Sequence, residues 1–148
     1  MFARIVVGTD GSDTASEAVR QSTELANLSN ARLDIVSAYE PIPQQRLKDE
    51  SREAPGDVQY EISPREDVNL MLDKAGADAK NAGVEDVNTH AREGDPADAI
   101  LDVAEEVKAD LIVVGNKGMT GARRFLLGSV PNKVSHHAPC SVIIVRTT

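Results

Sequence analysis

Three short, unbroken apolar runs constrain this chain more than anything else in it: "ARIVVGT" (residues 3–9), "DLIVVG" (110–115) and "SVIIVR" (141–146). None alternates between apolar and polar positions. Each therefore reads as a strand buried on both faces, the condition of a parallel sheet covered by helices. Two further runs, "RLDIVSAY" (32–39) and "VEDVNTHAR" (84–92), have the length and β-branched content of strands but carry charge.

Helical patterns fill the intervals. From 13 to 29, Ala15, Ala18, Val19, Ser22, Leu25 and Ala26 recur at the three-four spacing of one helix face, with Ser12 or Asp13 as the cap. The stretch from Ser63 to Asn81 opens with "SPRE": Ser63 suits the cap, Pro64 the first helical position, and Glu66 completes a capping box. Val68, Met71, Leu72, Ala75 and Ala79 line its inner side, and Gly83 ends it. A third helix starts at cap Asp95 and Pro96, with Ala97, Ile100, Leu101, Ala104 and Val107 as its buried stripe. A short last helix is expected from about Val130 to His137, stopped before Pro139. Strands alternating with helices of this length predict an α/β fold, a doubly wound open parallel sheet with right-handed crossovers. At 148 residues the chain is the size of one domain, spanning 1–148. The stretch 40–62, polar and rich in proline and charge, reads as a surface excursion or lid.

Composition narrows the function. The single cysteine, Cys140, permits no intramolecular disulfide and fits a reducing compartment, so a cytoplasmic location is expected. No apolar run approaches the length needed to cross a bilayer, so no membrane insertion is expected. A formal charge of −8 repels nucleic-acid backbones and anionic lipid, and 3% aromatic content without Trp leaves no stacking platform for single strands. Nucleic acid is not an expected partner. A small anion is compatible with that charge, because backbone amides do not enter the sum.

In open α/β sheets ligands bind beyond the carboxyl ends of the strands, where the winding reverses. If strands one and four are neighbours there, "GTDGS" (8–12) and "GNKGMTG" (115–121) meet as two glycine turns. Glycine admits positive φ and lets a ligand approach main-chain N–H groups, although any one of these glycines alone would equally serve a tight turn. Gly128 and Ser129, opening the last helix, add unpaired amides and the positive end of a helix dipole. Neither G-x-x-x-x-G-K-S/T nor G-x-G-x-x-G after the first strand is present. Asp10 has three readings: partner of a ribose hydroxyl, magnesium ligand through phosphate, or helix cap. Arg123 and Arg124 are either partners of a triphosphate or solvated loop charges. His136 and His137 are adjacent on a helix and point apart, which disfavours a shared metal; His90 stands alone, and Cys140 reads as core. No Ser-His-Asp set or carboxylate pair is marked out by position, so binding without efficient turnover is expected.

The stretch "VVGNKGMTGARRFLLGSVPNKVSHHAPCSVIIVR", with the opening "RIVVGTDGSDTASEAV", resembles the ATP-binding branch of the universal stress protein family, marked by G-2x-G-9x-G-S/T. Gly115, Gly118, Gly128 and Ser129 match that pattern in full, and the likeness covers nearly the whole chain, loosely only across 40–62. The resemblance implies a Rossmann-like five-stranded sheet of order 3-2-1-4-5, of the adenine nucleotide alpha hydrolase type, with ATP, with or without magnesium, across strands one and four. By position it implies that Gly8, Thr9 and Asp10 border the adenosine, Ala38 offers backbone groups to the adenine edge, and Val114 and Gly115 floor the sugar. Gly118, Gly128, Ser129 and Val130 would give amides to phosphates, and Asn116 would touch phosphate as well. It further implies a homodimer through the last strand, Ser141 to Arg146, which would also cover an apolar edge. Pro131 departs from many relatives. A branch with a similar "GSVPxxVS" string binds cyclic AMP, which makes that ligand a rival to ATP.

Overall fold

The computed structural model describes residues 2–40, 64–116 and 128–147. In chain order the elements are β1 (Arg4–Gly8), α1 (Asp13–Ser29), β2 (Arg32–Tyr39), α2 (Pro64–Asn81), β3 (Val87–Glu93), α3 (Pro96–Val107), β4 (Leu111–Gly115), α4 (Ser129–His137) and β5 (Ser141–Val145). The strands form one 5-stranded sheet of order β3-β2-β1-β4-β5, and every pairing is parallel. The expected topology is the one found.

The unbroken apolar runs follow from a core on each face of the sheet. Ile5, Val7, Leu33, Ile35, Leu111 and Val113 point to one side, where Ala18 and Ala26 of α1 and Leu72 and Ala79 of α2 pack on them. The residues between, Val6, Val36, Ile112 and Val114, point to the other side and meet Ile100, Val103 and Ala104 of α3 and Val134 of α4. Each fully buried Val, Leu or Ile contributes about 1.5–3 kcal/mol relative to exposure. A polar substitution at any of these strand positions removes that contribution from one core or the other.

The helix ends follow the chemistry expected of them. Ser12, not Asp13, caps α1, accepting from the Ala15 N–H at 3.2 Å. Asp95 caps α3 by accepting from the Asp98 N–H at 3.1 Å, with Pro96 as the first helical residue. Pro64 begins α2 as expected; its expected cap Ser63 and the excursion 40–62 beyond Glu40 lie outside the described residues.

Three boundaries and burials differ from the sequence reading. β3 begins at Val87 rather than Val84, because Val84 belongs to the end of α2: its N–H bonds the Ala79 carbonyl at 3.2 Å while Gly83 takes a φ of 114°. α4 begins one residue earlier than expected, at Ser129, with Gly128 as its cap. β5 is not buried throughout. Ser141 and Ile143 are exposed and only Val145 is fully buried, since an edge strand has helix cover over only part of its surface.

Candidate adenine nucleotide site

β1 and β4 lie side by side at the centre of the sheet, and the chain winds outward from them in opposite directions. Their carboxyl ends open into a cleft of about 240 Å³. Gly8, Thr9 and Asp10 form one lip, Val114 and Gly115 the other; Pro96 and Ile100 of α3 and Ser129, Val130 and Pro131 of α4 close the side.

Gly8 is there because there is no room for a side chain. A Cβ on Gly8 would overlap the Cδ1 of Ile100, itself 4% exposed, so the missing methyl lets α3 seat against β1 and sets the depth of the cleft. The turn that follows is fastened internally. Thr9 donates its N–H to the Val36 carbonyl at 2.9 Å, Gly11 donates to Thr9 Oγ1 at 3.1 Å, and Ser12 donates to Asp10 Oδ1 at 2.9 Å. Gly11 has a φ of 80°, a conformation that side chains resist. Of the three readings of Asp10, the cap is excluded, since Ser12 holds that place. One Asp10 oxygen closes the local turn, and a carboxylate retains acceptor capacity for a hydroxyl.

Ala38 lies at the far wall, with Ser37 beside it. The Val36 carbonyl faces β1, where Thr9 takes it up. Main-chain direction in a strand repeats every second residue, so the Ala38 N–H and C=O face the same way, beyond the point where β1 turns off. A donor and an acceptor side by side on one residue are what the edge of a purine base requires.

At the end expected to hold phosphate the structure corrects one expectation. Gly128 was expected to give its amide to phosphate, but that N–H donates to the Asn116 carbonyl at 3.1 Å. The Asn116 side-chain Oδ1 is turned to the tail, accepting from the N–H and the Oγ1 of Thr147, both at 2.9 Å, and Asn116 is not among the described residues that line the cleft. The first intrahelical bond of α4 runs from Asn132 N–H to the Gly128 carbonyl, and Pro131 has no N–H. The N–H groups of Ser129 and Val130, with the Ser129 hydroxyl, are therefore the donors that α4 presents among the described residues. Gly118, Arg123 and Arg124 lie outside the described residues.

Lys133 holds this helix against α3, its Nζ 2.8 Å from Asp98 Oδ1 and 3.4 Å from Asp95 Oδ2. The Asp95 carboxyl lies below the usual range because it accepts from the Asp98 amide and from Lys133. Sequence reasoning left Ala15, Val36 and Ser37 out of the site, and also Pro96 and Ile100, which read only as parts of a helix. Their signal was the third-helix stripe itself, whose first turn faces the strand ends.

A second polar cluster lies off the cleft. Asp34 is fully buried in β2, with His90 Nε2 at 2.8 Å from its Oδ1 and Arg32 donating to both oxygens at 2.9 and 3.0 Å. Burial alone would raise this carboxyl; the bonds from His90 and Arg32 outweigh it and hold Asp34 below its ordinary value. His90 was read as standing alone in its strand, and the structure corrects that: it is this carboxylate's partner. Among the described residues no group of His, Cys, Asp and Glu could hold a metal ion, and the rings of His136 and His137 stand 6.5 Å apart and tilted.

An open parallel sheet with a glycine-lipped cleft at its winding reversal defines a doubly wound α/β protein with its cleft where such folds bind ligands. The chain matches the universal stress protein family over residues 1–146, and it belongs to that family. It is 40% identical to a universal stress protein of Mycobacterium tuberculosis strain H37Rv, over 99% of this chain and 98% of that one. It is 32% identical to a putative universal stress protein of Staphylococcus aureus, over 99% of this chain and 85% of that one. The crystal structure of a universal stress protein in complex with cAMP superimposes with a TM-score of 0.72 at 37% identity, covering 99% of this chain and 98% of that chain. Among the described residues no helix is long and apolar enough to cross a membrane.

Proposed function

We propose that this protein is a cytoplasmic regulatory module that binds an adenine nucleotide between β1 and β4 and signals occupancy without efficient turnover. The observation that carries the reading is the coincidence, in one cleft, of an outward-facing donor and acceptor on Ala38, a carboxylate at Asp10 and the Ser129 and Val130 amides at the start of α4, unpaired among the described residues. Base, ribose and phosphate each meet a group of matching chemistry. Asp10 is the one ionisable side chain among the described residues of the cleft, so a second acid or base for hydrolysis is missing from that set.

Cyclic AMP is the favoured ligand. The donors of Ser129 and Val130 suit a single phosphoryl group, and the 37% identical structure is a complex with cAMP. ATP, with or without magnesium, is the second reading, favoured by the full glycine spacing through Gly115, Gly118, Gly128 and Ser129. Calorimetric titration of the full chain with each nucleotide decides between them: tighter binding of cyclic AMP is expected, and failure of both to bind removes the reading. Ser129→Asp places a fixed negative charge where phosphate would sit and is expected to weaken either ligand by at least tenfold.

The module is proposed to act as a homodimer joined through β5. Ile143 on this edge strand is 39% exposed and Leu28 of α1 is 85% exposed. Both line a groove of about 270 Å³ beside the edge strand, which the strand of a second copy would cover.

A further inference from the structure

Asn116 sits where three parts of the molecule meet, and each of its three polar positions seen in contact reaches a different one or a different atom of one. Its N–H donates to the Val145 carbonyl at the end of β5, its carbonyl accepts from the Gly128 N–H at the cap of α4, and its Oδ1 accepts twice from Thr147. The Thr147 N–H can only donate, so the side-chain atom facing it has to be the oxygen, and the orientation of the Asn116 carboxamide is thereby set. Asn116 and Thr147 are both half-buried, and neither lines the cleft. We infer that Thr147 is a positioning residue for the nucleotide site. By holding Asn116, it fixes Gly128 and so the direction in which the Ser129 and Val130 amides point.

The physical reason is that α4 is short and begins on glycine. A nine-residue helix whose cap has no side chain has no capping hydrogen bond of its own, so its first turn depends on what holds the cap from outside. Gly128 receives that hold through its N–H, from a carbonyl whose own residue is tied to the tail on the far side. Loss of the Thr147 hydroxyl removes one of the two bonds to Asn116 Oδ1 and leaves the carboxamide held by the Thr147 N–H alone, a looser anchor for the Asn116 backbone. The tail immediately follows β5, so the same clasp connects the proposed dimer edge with the proposed phosphate end.

This inference rests on the nucleotide reading for its second readout but not for its first. In the full chain without nucleotide, hydrogen exchange of the Gly128 amide is expected to quicken about fivefold in Thr147→Val, the scale of one lost hydrogen bond, and to return to the wild-type rate in Thr147→Ser. In calorimetry with cyclic AMP, Thr147→Val is expected to weaken binding about fivefold and Thr147→Ser to restore it. Unchanged Gly128 exchange in Thr147→Val overturns the clasp. Faster exchange with unaltered affinity overturns the positioning role. A wild-type chain that takes up no nucleotide overturns the positioning role together with the nucleotide reading, while the exchange result still reports on the clasp.

Discussion

The two edges of this sheet are built on opposite plans. β3 puts Asn88, His90 and Arg92 along its length; His90 reaches Asp34, and Arg92 pairs with Glu106 of α3 through its two terminal guanidinium nitrogens, at 3.0 and 2.5 Å. β5 reads Ser-Val-Ile-Ile-Val, with Ile143 open to solvent and Leu28 exposed nearby. A sheet edge is a template for another strand, and charge on the edge is a common means of blocking it. The difference teaches that β3 carries polar side chains engaged by Asp34 and Glu106, while β5 exposes an apolar surface, the kind that the proposed dimer would cover.

The largest effect is expected at β5. Ile143→Asp sets like charges near each other across the proposed two-fold and should raise the dimer dissociation constant by about 100-fold, read by sedimentation equilibrium. A wild-type chain that is monomeric at high concentration would break the comparison at once. The next effect belongs to β3. Asp34→Ala leaves Arg32 and the half-buried His90 without their shared carboxylate and should cost about 3 kcal/mol in urea unfolding, with the dimer constant unchanged in the folded protein. A loss below about 1 kcal/mol would mean that the pairing is no stronger than a solvated one.

Acid should sharpen the same contrast. The folded Asp34 carboxyl lies below its ordinary value of 3.8, so its contribution is complete above that pH and is lost as the pH falls from there through the folded value. Urea midpoints measured downward from pH 5 should fall more steeply for the wild type than for Asp34→Ala. Parallel curves would show that other carboxylates govern acid unfolding. The smallest effect is expected for Glu106→Ala, which removes a solvent-facing partner of Arg92 and should leave thermal unfolding within error of the wild type. A clear drop there would make the outer pair, not the buried one, the stronger support of this strand.

The parts of the fold that were legible in the sequence are those governed by local chemistry. Unbroken apolar runs reported two-sided burial at Ile5 to Val7 and Leu111 to Val114, and Ser12, Pro64, Asp95 and Pro96 marked helix starts. Burial along β5 was misjudged because composition does not say which strand ends at an edge. The β2 strand, read as one of the weaker strands, has a buried run from Leu33 to Ser37, and the charge of Asp34 within it is met by Arg32 two residues away and by His90 on a neighbouring strand. His90 lies 56 residues away, beyond the reach of any local pattern. At the cleft, the glycine turns and the family resemblance named Gly8, Asp10, Ala38 and Ser129, which line one cavity in the structure. Neither could show that the Gly128 N–H is taken by the Asn116 carbonyl and the Asn116 Oδ1 by Thr147, a closure that depends on tail and helix meeting in space.

The contact between Gly8 and Ile100 has a consequence for how such proteins diverge. Because Ile100, borne on a helix, packs against Gly8 in the wall of the cavity, the reach of the cavity can be retuned by trading one aliphatic residue for a shorter or longer one, while the turns proposed to hold the sugar stay as they are. Selectivity between compact and extended ligands is then adjustable from a position that lends no polar group to either.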